Sequence, residues 1–197
     1  MRVAVVDIGT NSTRLLVADV AAGDRVTELE RVSIVTRLGE GVDATGRLGD
    51  APMQRVFTTL GEYREAIDAH GVTATTAVLT SAVRDAANGA EFTAAVRERY
   101  GLDARTIGGD EEAALTFSGA TSERAHDGAE VVVVDIGGGS TEFVAGRDGA
   151  VGFHTSVQAG VVRQTERHLH ADPPPPDGLR ALAEEVAAII AGAVPAA

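Results

Sequence analysis

The sequence predicts an α/β protein, on three observations. Strand-length apolar runs alternate with helix-period patterns along the chain. A short segment recurs: Val5–Thr13 and Val133–Thr141 share seven of nine positions at a constant offset of 128 residues. With 44% hydrophobic and 23% charged residues, the chain can bury a real core.

The elements follow in order. Residues 2–7 (RVAVVD) form an apolar run ending at Gly9, the pattern of a buried strand. Residues 13–20 form a second run, and the DIGTNS turn between them makes the pair a hairpin. Residues 26–35 are expected as a third strand. Gly39, Gly41, Gly46 and Gly49 then mark a long loop. Asp50 is expected to cap a helix with Pro52 in its first turn. Val56, Leu60, Tyr63 and Ile67 fall on one face of that helix, and Gly71 stops it. A strand over 74–80, a polar turn over 81–88, a helix over 90–100 and a short strand over 103–107 come next. Asp110 is expected to cap a helix running to 122.

The polar stretch 123–128 separates two expected domains, 1–122 and 129–197. The second opens with a very apolar strand over 130–135, a GGGS turn and a returning strand over 141–146. Residues 151–157 are expected as a third strand and 160–170 as a helix. The four prolines at 173–176 favour polyproline II, and a last helix covers 179–193. Leu182, Val186, Ile189 and Ile190 give it an apolar face, expected to point at the core.

Length and charge narrow the classes. A chain of 197 residues fits one large domain or two small ones. The net charge of -12 argues against a nucleic-acid binder, because a polyanion is repelled at long range. All 17 basic residues are Arg. The absence of Cys excludes disulfides, thiol nucleophiles and Cys-bound zinc. No apolar run approaches the roughly 20 residues of a membrane span. With a strand expected from Arg2, no leader is expected, and a cytoplasmic location is the default. The five His residues are scattered and suggest no metal pair.

The repeated hairpin has a chemistry of its own. An apolar strand delivers an Asp to its end, and glycines after it let the backbone approach a ligand. Successive N–H groups in such a turn form a concavity for anions, typically phosphate. Ser and Thr hydroxyls add donors. The Asp, too negative to touch phosphate, suits a divalent cation or a water. One copy alone also reads as an ordinary Gly-rich turn. Two copies with the same Asp, Gly, Ser and Thr favour the ligand loop, and two such hairpins facing each other would grip a phosphate chain.

DIGTNSTRLLVA and DIGGGSTEF resemble the paired phosphate loops of the actin-like ATPase superfamily. Within it, the chain is similar to the exopolyphosphatase and guanosine pentaphosphate phosphohydrolase (Ppx/GppA) family. TSAVRDAANG at 80–89, GGDEEAALTFSGA at 108–120 and GVVRQTERHL at 160–169 fit that family in order and spacing. The resemblance implies an actin-like (ribonuclease H-like) domain, a mixed five-stranded sheet flanked by helices, followed by a partial second copy. It implies hydrolysis of a terminal phosphoanhydride, with Mg²⁺ as the usual metal.

By position, Glu112 corresponds to the general base, Asp135 to the metal-linked acid and Glu142 to a second catalytic carboxylate. Asp7 and Asp135 are the implied metal ligands. The implied substrate contacts are Asn11, Ser12, Arg14, Arg84, Gly137, Gly138, Gly139, Ser140 and Thr141. Arg suits phosphate because its guanidinium is bidentate and stays protonated. Glu111 competes with Glu112, and only the motif selects between them. The partner is inorganic polyphosphate or, alternatively, guanosine pentaphosphate; a homodimer is also entertained, without nucleic acid or membrane. A non-catalytic phosphate binder is the reading from another class.

Two departures stand out. Ala114 occupies a place where family members often carry Arg. The second domain stops after its opening strands and two helices, so the chain is expected to be truncated. An apolar edge at 130–135 and the inner face of the last helix are then expected to be exposed.

Overall fold

The computed structural model describes residues 1–22 and 25–195. Two compact units divide the chain, Met1–Ile107 and Gly108–Ala197. The final two alanines of the expected second domain lie outside the described residues.

The first unit is built on a mixed five-stranded sheet. Its strands are β1 (Arg2–Ile8), β2 (Ser12–Val20), β3 (Val26–Val35), β4 (Ala74–Leu79) and β5 (Ala104–Thr106), in the order β3-β2-β1-β4-β5. The first three form an antiparallel meander, while β4 pairs parallel with both β1 and β5. The helices are α1 (Val42–Thr45), α2 (Asp50–Ala69), α3 (Ser81–Asp85) and α4 (Gly89–Tyr100). The apolar face expected on α2 is buried: Val56, Leu60, Tyr63 and Ile67 pack in one core with Ala4, Val6 and Ile8 of β1. Each buried Val, Leu or Ile side chain among them contributes about 1.5–3 kcal/mol. The Tyr63 hydroxyl donates to the Thr13 carbonyl at 2.7 Å, tying α2 to the β1–β2 hairpin.

The second unit holds α5 (Gly109–Thr121), a three-stranded antiparallel sheet, α6 (Val161–His168) and α7 (Pro176–Ala193). Its strands β6 (Glu130–Ile136), β7 (Thr141–Arg147) and β8 (Ala150–Val157) lie in the order β6-β7-β8. Ala113 and Phe117 of α5 pack on Val144 of β7. That packing moves the expected boundary: α5 belongs with the second unit, not with the first. Gly146 permits the contact, since a Cβ there would sit 2.6 Å from the Phe117 ring.

The meander of the first unit recurs in the second. Asp7 pairs with Arg14 and Ile8 with Thr13; Asp135 pairs with Glu142 and Ile136 with Thr141. Even the bulge recurs, between Val17 and Ala18 in one sheet and between Ala145 and Gly146 in the other. The environments differ. Ala4, Val6 and Ile8 are buried, whereas Val132, Val134 and Ile136 are 64%, 48% and 63% exposed. Among the described residues no strand pairs with the outer edge of β6.

Several local expectations are corrected. Gly49 and Gly108, not Asp50 and Asp110, stand at the N-caps of α2 and α5; both acids lie in the first turn, where the helix dipole favours them. Residues 81–85 wind into α3 rather than a plain turn. Pro176 is helical after all, because the first helical position needs no N–H. The last helix buries no residue fully; Leu182, Val186, Ile189 and Ile190 are half-buried. Arg167 and His168 of α6 hold it through Glu185.

Candidate active site

In the first unit the β1–β2 turn is braced from several sides. The Gly9 amide donates to the Ser12 carbonyl at 3.0 Å. The Asn11 carbonyl accepts from the amides of Thr36 and Arg37, at 3.0 and 2.9 Å. The Thr10 carbonyl accepts from Gly39 at 2.8 Å, and a Cβ at Gly39 would lie 2.2 Å from the Thr10 methyl. The Thr10 hydroxyl accepts from the Ala82 amide of α3 at 3.2 Å. With its carbonyls engaged, the turn leaves the amides of Thr10 and Asn11 without a backbone acceptor among the described residues.

This turn lies at the carboxyl end of the parallel strands, since Ile8 pairs beside Leu79 and Leu79 beside Thr106. Ligands of open α/β sheets gather at that end. Arg84 of α3 lies there, donating to the Ile107 carbonyl at 3.0 Å. So does Arg14, whose guanidinium reaches Asp7 at 3.5 Å. Arg14 is 62% exposed, so the pair adds little stability and is open to exchange for a ligand.

In the second unit the Gly-rich turn is held by α6. The Gly137 amide donates to the Ser140 carbonyl at 2.9 Å, repeating the Gly9–Ser12 bond. The carbonyls of Gly137, Gly138 and Gly139 accept from residues 160–163, and Arg163 Nε donates to Gly139 at 3.0 Å. Gly160 is needed for that approach: a Cβ there would lie 2.4 Å from the Gly138 and Gly139 carbonyl carbons. The amides of Gly138, Gly139 and Ser140 find no backbone acceptor among the described residues. Such a row of N–H groups suits an anion. The Thr141 hydroxyl that follows is buried and donates to the Ala159 carbonyl at 2.9 Å.

The carboxylates assemble beneath α5. Register aligns Asp135, Glu142 and Ser156 in one row across β6, β7 and β8. Glu142 is only 1% exposed, and its Oε1 accepts from Ser156 Oγ at 2.7 Å. Asp135 is exposed, and its Oδ2 accepts from Thr116 Oγ1 at 3.3 Å. Gly109 lies against Ser156, where a Cβ would be 3.0 Å from the serine Cβ. Gly109, Glu112 and Thr116 stand at i, i+3 and i+7, one face of the helix. Glu112 therefore lies on the face that meets the row, between the two anchoring contacts. Glu111 is exposed and Glu112 half-buried, which distinguishes the two acids that only the motif separated.

The predicted residues thus fall into two sets. Asp7, Asn11, Ser12, Arg14 and Arg84 share one end of the first sheet. Glu112, Asp135, Glu142 and the loop Gly137, Gly138, Gly139, Ser140 gather in the second unit. Sequence reasoning missed Ser156, Thr116 and Thr10. Thr116 was findable, being one turn beyond Glu112 on the same face; Ser156 carries no local signal.

The Ppx/GppA phosphatase family matches this chain over residues 16–196. The chain belongs to that family. Among its Ppx/GppA relatives is exopolyphosphatase 2 of Mycobacterium tuberculosis, 45% identical over 88% of this chain and 56% of the relative. Exopolyphosphatase 1 of Mycobacterium leprae is 30% identical over 88% of this chain and 51% of its own length. The crystal structure of an exopolyphosphatase from Cytophaga hutchinsonii superposes with a TM-score of 0.89 at 29% identity, covering 98% of this chain and 61% of that one. An exopolyphosphatase-like protein superposes at 0.91 with 39% identity and the same coverage. The chain therefore spans little more than half the length of its Ppx/GppA relatives. The mixed five-stranded sheet expected from the motifs is the one the first unit has, and the chain shares the fold of these exopolyphosphatase structures. No helix among the described residues is long and apolar enough to cross a membrane.

Proposed function

We propose that this chain carries the hydrolytic apparatus of an exopolyphosphatase, which releases terminal orthophosphate from inorganic polyphosphate. Glu112 takes a proton from water. The water oxygen bonds to the terminal phosphorus as that phosphorus loses its bridging oxygen, and the shortened chain leaves with the bridge electrons. The amides of Gly138, Gly139 and Ser140 cradle the phosphoryl oxygens. Asn11 and Ser12 in the first turn, with Arg14 and Arg84, bind phosphate with charge-assisted donors. The observation that carries this reading is the row Asp135–Glu142–Ser156 beneath the helix face bearing Glu112.

The donor chemistry fits Mg²⁺. Asp135 and Glu142 offer hard oxygen ligands in the second unit and Asp7 offers one in the first, and Mg²⁺ is usually bound by one or two carboxylates plus substrate phosphates. Among the described residues, no group of three or more His, Asp or Glu is poised around one point. The bound ion would neutralise charge on the phosphate oxygens. It would also relieve the opposition of Asp135 and Glu142.

The test is phosphate release from polyphosphate with and without Mg²⁺, beside the same assay on ATP and guanosine pentaphosphate. Mg²⁺-dependent release from polyphosphate is expected, with Glu112→Gln slower by about 10²–10⁴-fold while binding persists. Full activity of Glu112→Gln would remove that residue from the mechanism. Binding without release would make the chain a phosphate binder.

A further inference from the structure

Ser156 lies outside every motif, yet it makes the sole hydrogen bond that Glu142 accepts among the described residues. A carboxylate 1% exposed depends heavily on such a donor, because burial removes the water that would otherwise solvate it. The serine is held in turn. It stands on β8 directly opposite Glu142, and Gly109 of α5 packs closely over it, where an added Cβ would lie 3.0 Å from the serine Cβ. The donor is thus fixed by sheet register below and by a helix above. With Oε1 engaged, Oε2 is the oxygen of Glu142 left for a water, a metal or a phosphate hydroxyl.

We propose that Ser156 is the positioning residue of Glu142: it orients the buried carboxylate and links it to the N-terminal turn of the helix that carries Glu112. The inference rests on reading Glu142 as part of the hydrolytic site. It assigns Ser156 no contact with substrate.

Phosphate release from polyphosphate is measured for the parent chain and Ser156→Ala. Ser156→Ala should lower kcat about 10- to 100-fold with little change in KM, the usual cost of losing an orienting partner. A parental kcat in Ser156→Ala overturns the proposal, as does a loss confined to KM. A second measurement needs no activity. Urea midpoints are compared for Ser156→Ala in the parent and in Glu142→Met, which has no carboxylate to orient. The alanine should lower the midpoint in the parent and leave Glu142→Met almost unmoved. Equal lowering in both backgrounds overturns the link. If the parent releases no phosphate, the hydrolase reading fails alone, and the urea cycle still decides whether Ser156 holds Glu142.

Discussion

Glu142 stands directly opposite Asp135 on the β6–β7 ladder, so two carboxylates face each other across one register position. In the recurring meander the same position holds Asp7 and Arg14, an opposite-charge pair. Like charges in direct opposition destabilise a strand pair. The first hairpin is neutralised by its own side chain, whereas the second is left for something cationic to complete.

Neutralising Glu142 should therefore stabilise the ligand-free chain. The buried charge costs several kcal/mol of solvation. Its charge-assisted bond from Ser156 returns only about 1.5–3 kcal/mol. Glu142→Gln should unfold at a higher urea concentration than the parent at pH 7 without divalent ions. It should also lose phosphate release. A lower midpoint would show that the carboxylate is well solvated where it stands.

Arg14 should act on binding more than on turnover. Arg14→Ala should raise the KM for polyphosphate by roughly tenfold or more, matching about 1.5–3 kcal/mol for hydrogen bonds to a charged group. Arg14→Lys should recover only part, because a point charge replaces a bidentate fork. Initial-rate kinetics at two salt concentrations would test this, with the parent showing the steeper salt dependence.

Gly160→Ala should disable the second loop without touching a charged group. The added methyl collides with the Gly138 and Gly139 backbone rather than with a mobile side chain. The loop would have to move, at a cost of about 1–3 kcal/mol in stability. Thermal melting should report the loss, and direct titration with polyphosphate should show weakened binding.

Tyr63 gives the fold a dependence on alkaline pH. Burial, with the Glu62 charge, pushes its phenol from the ordinary 10.0 up to about 12. The folded state thus keeps the proton that the unfolded chain loses from about pH 10 upward. The contribution is fully present below that point and is lost as pH rises through about 12. Urea midpoints from pH 8 to 12 should fall more steeply in the parent than in Tyr63→Phe. Absorbance of the tyrosinate should appear late, since burial raises the Tyr100 phenol as well.

Much of this was legible in the sequence because it is local. The α2 face is written at helical spacing in Val56, Leu60, Tyr63 and Ile67. The β1–β2 and β6–β7 hairpins are marked by an apolar run, an Asp and a Gly turn. What escaped depends on distant partners. Helix α5 follows β5 closely in sequence, so it read as the end of the first domain. Its placement is decided by Phe117 meeting Val144 and by the space that Gly146 leaves, and neither shows in the periodicity of residues 109–121. The short helix α3 has too few residues to express a period. Ser156 escaped because its role is set by register across two strands, and a lone serine in a strand looks like any other.

The bare side of β6 has a practical consequence. Where β1 shelters Ala4, Val6 and Ile8, β6 shows water Val132, Val134 and Ile136 along a strand whose outer rim is unpaired among the described residues. Unmatched backbone donors beside branched aliphatic residues make a template for any extended peptide that drifts past. In a concentrated preparation this margin, rather than the well-packed first sheet, is where self-association is expected to begin. Val132→Lys, which puts a charge on that rim without touching a site residue, is the change that would keep it so.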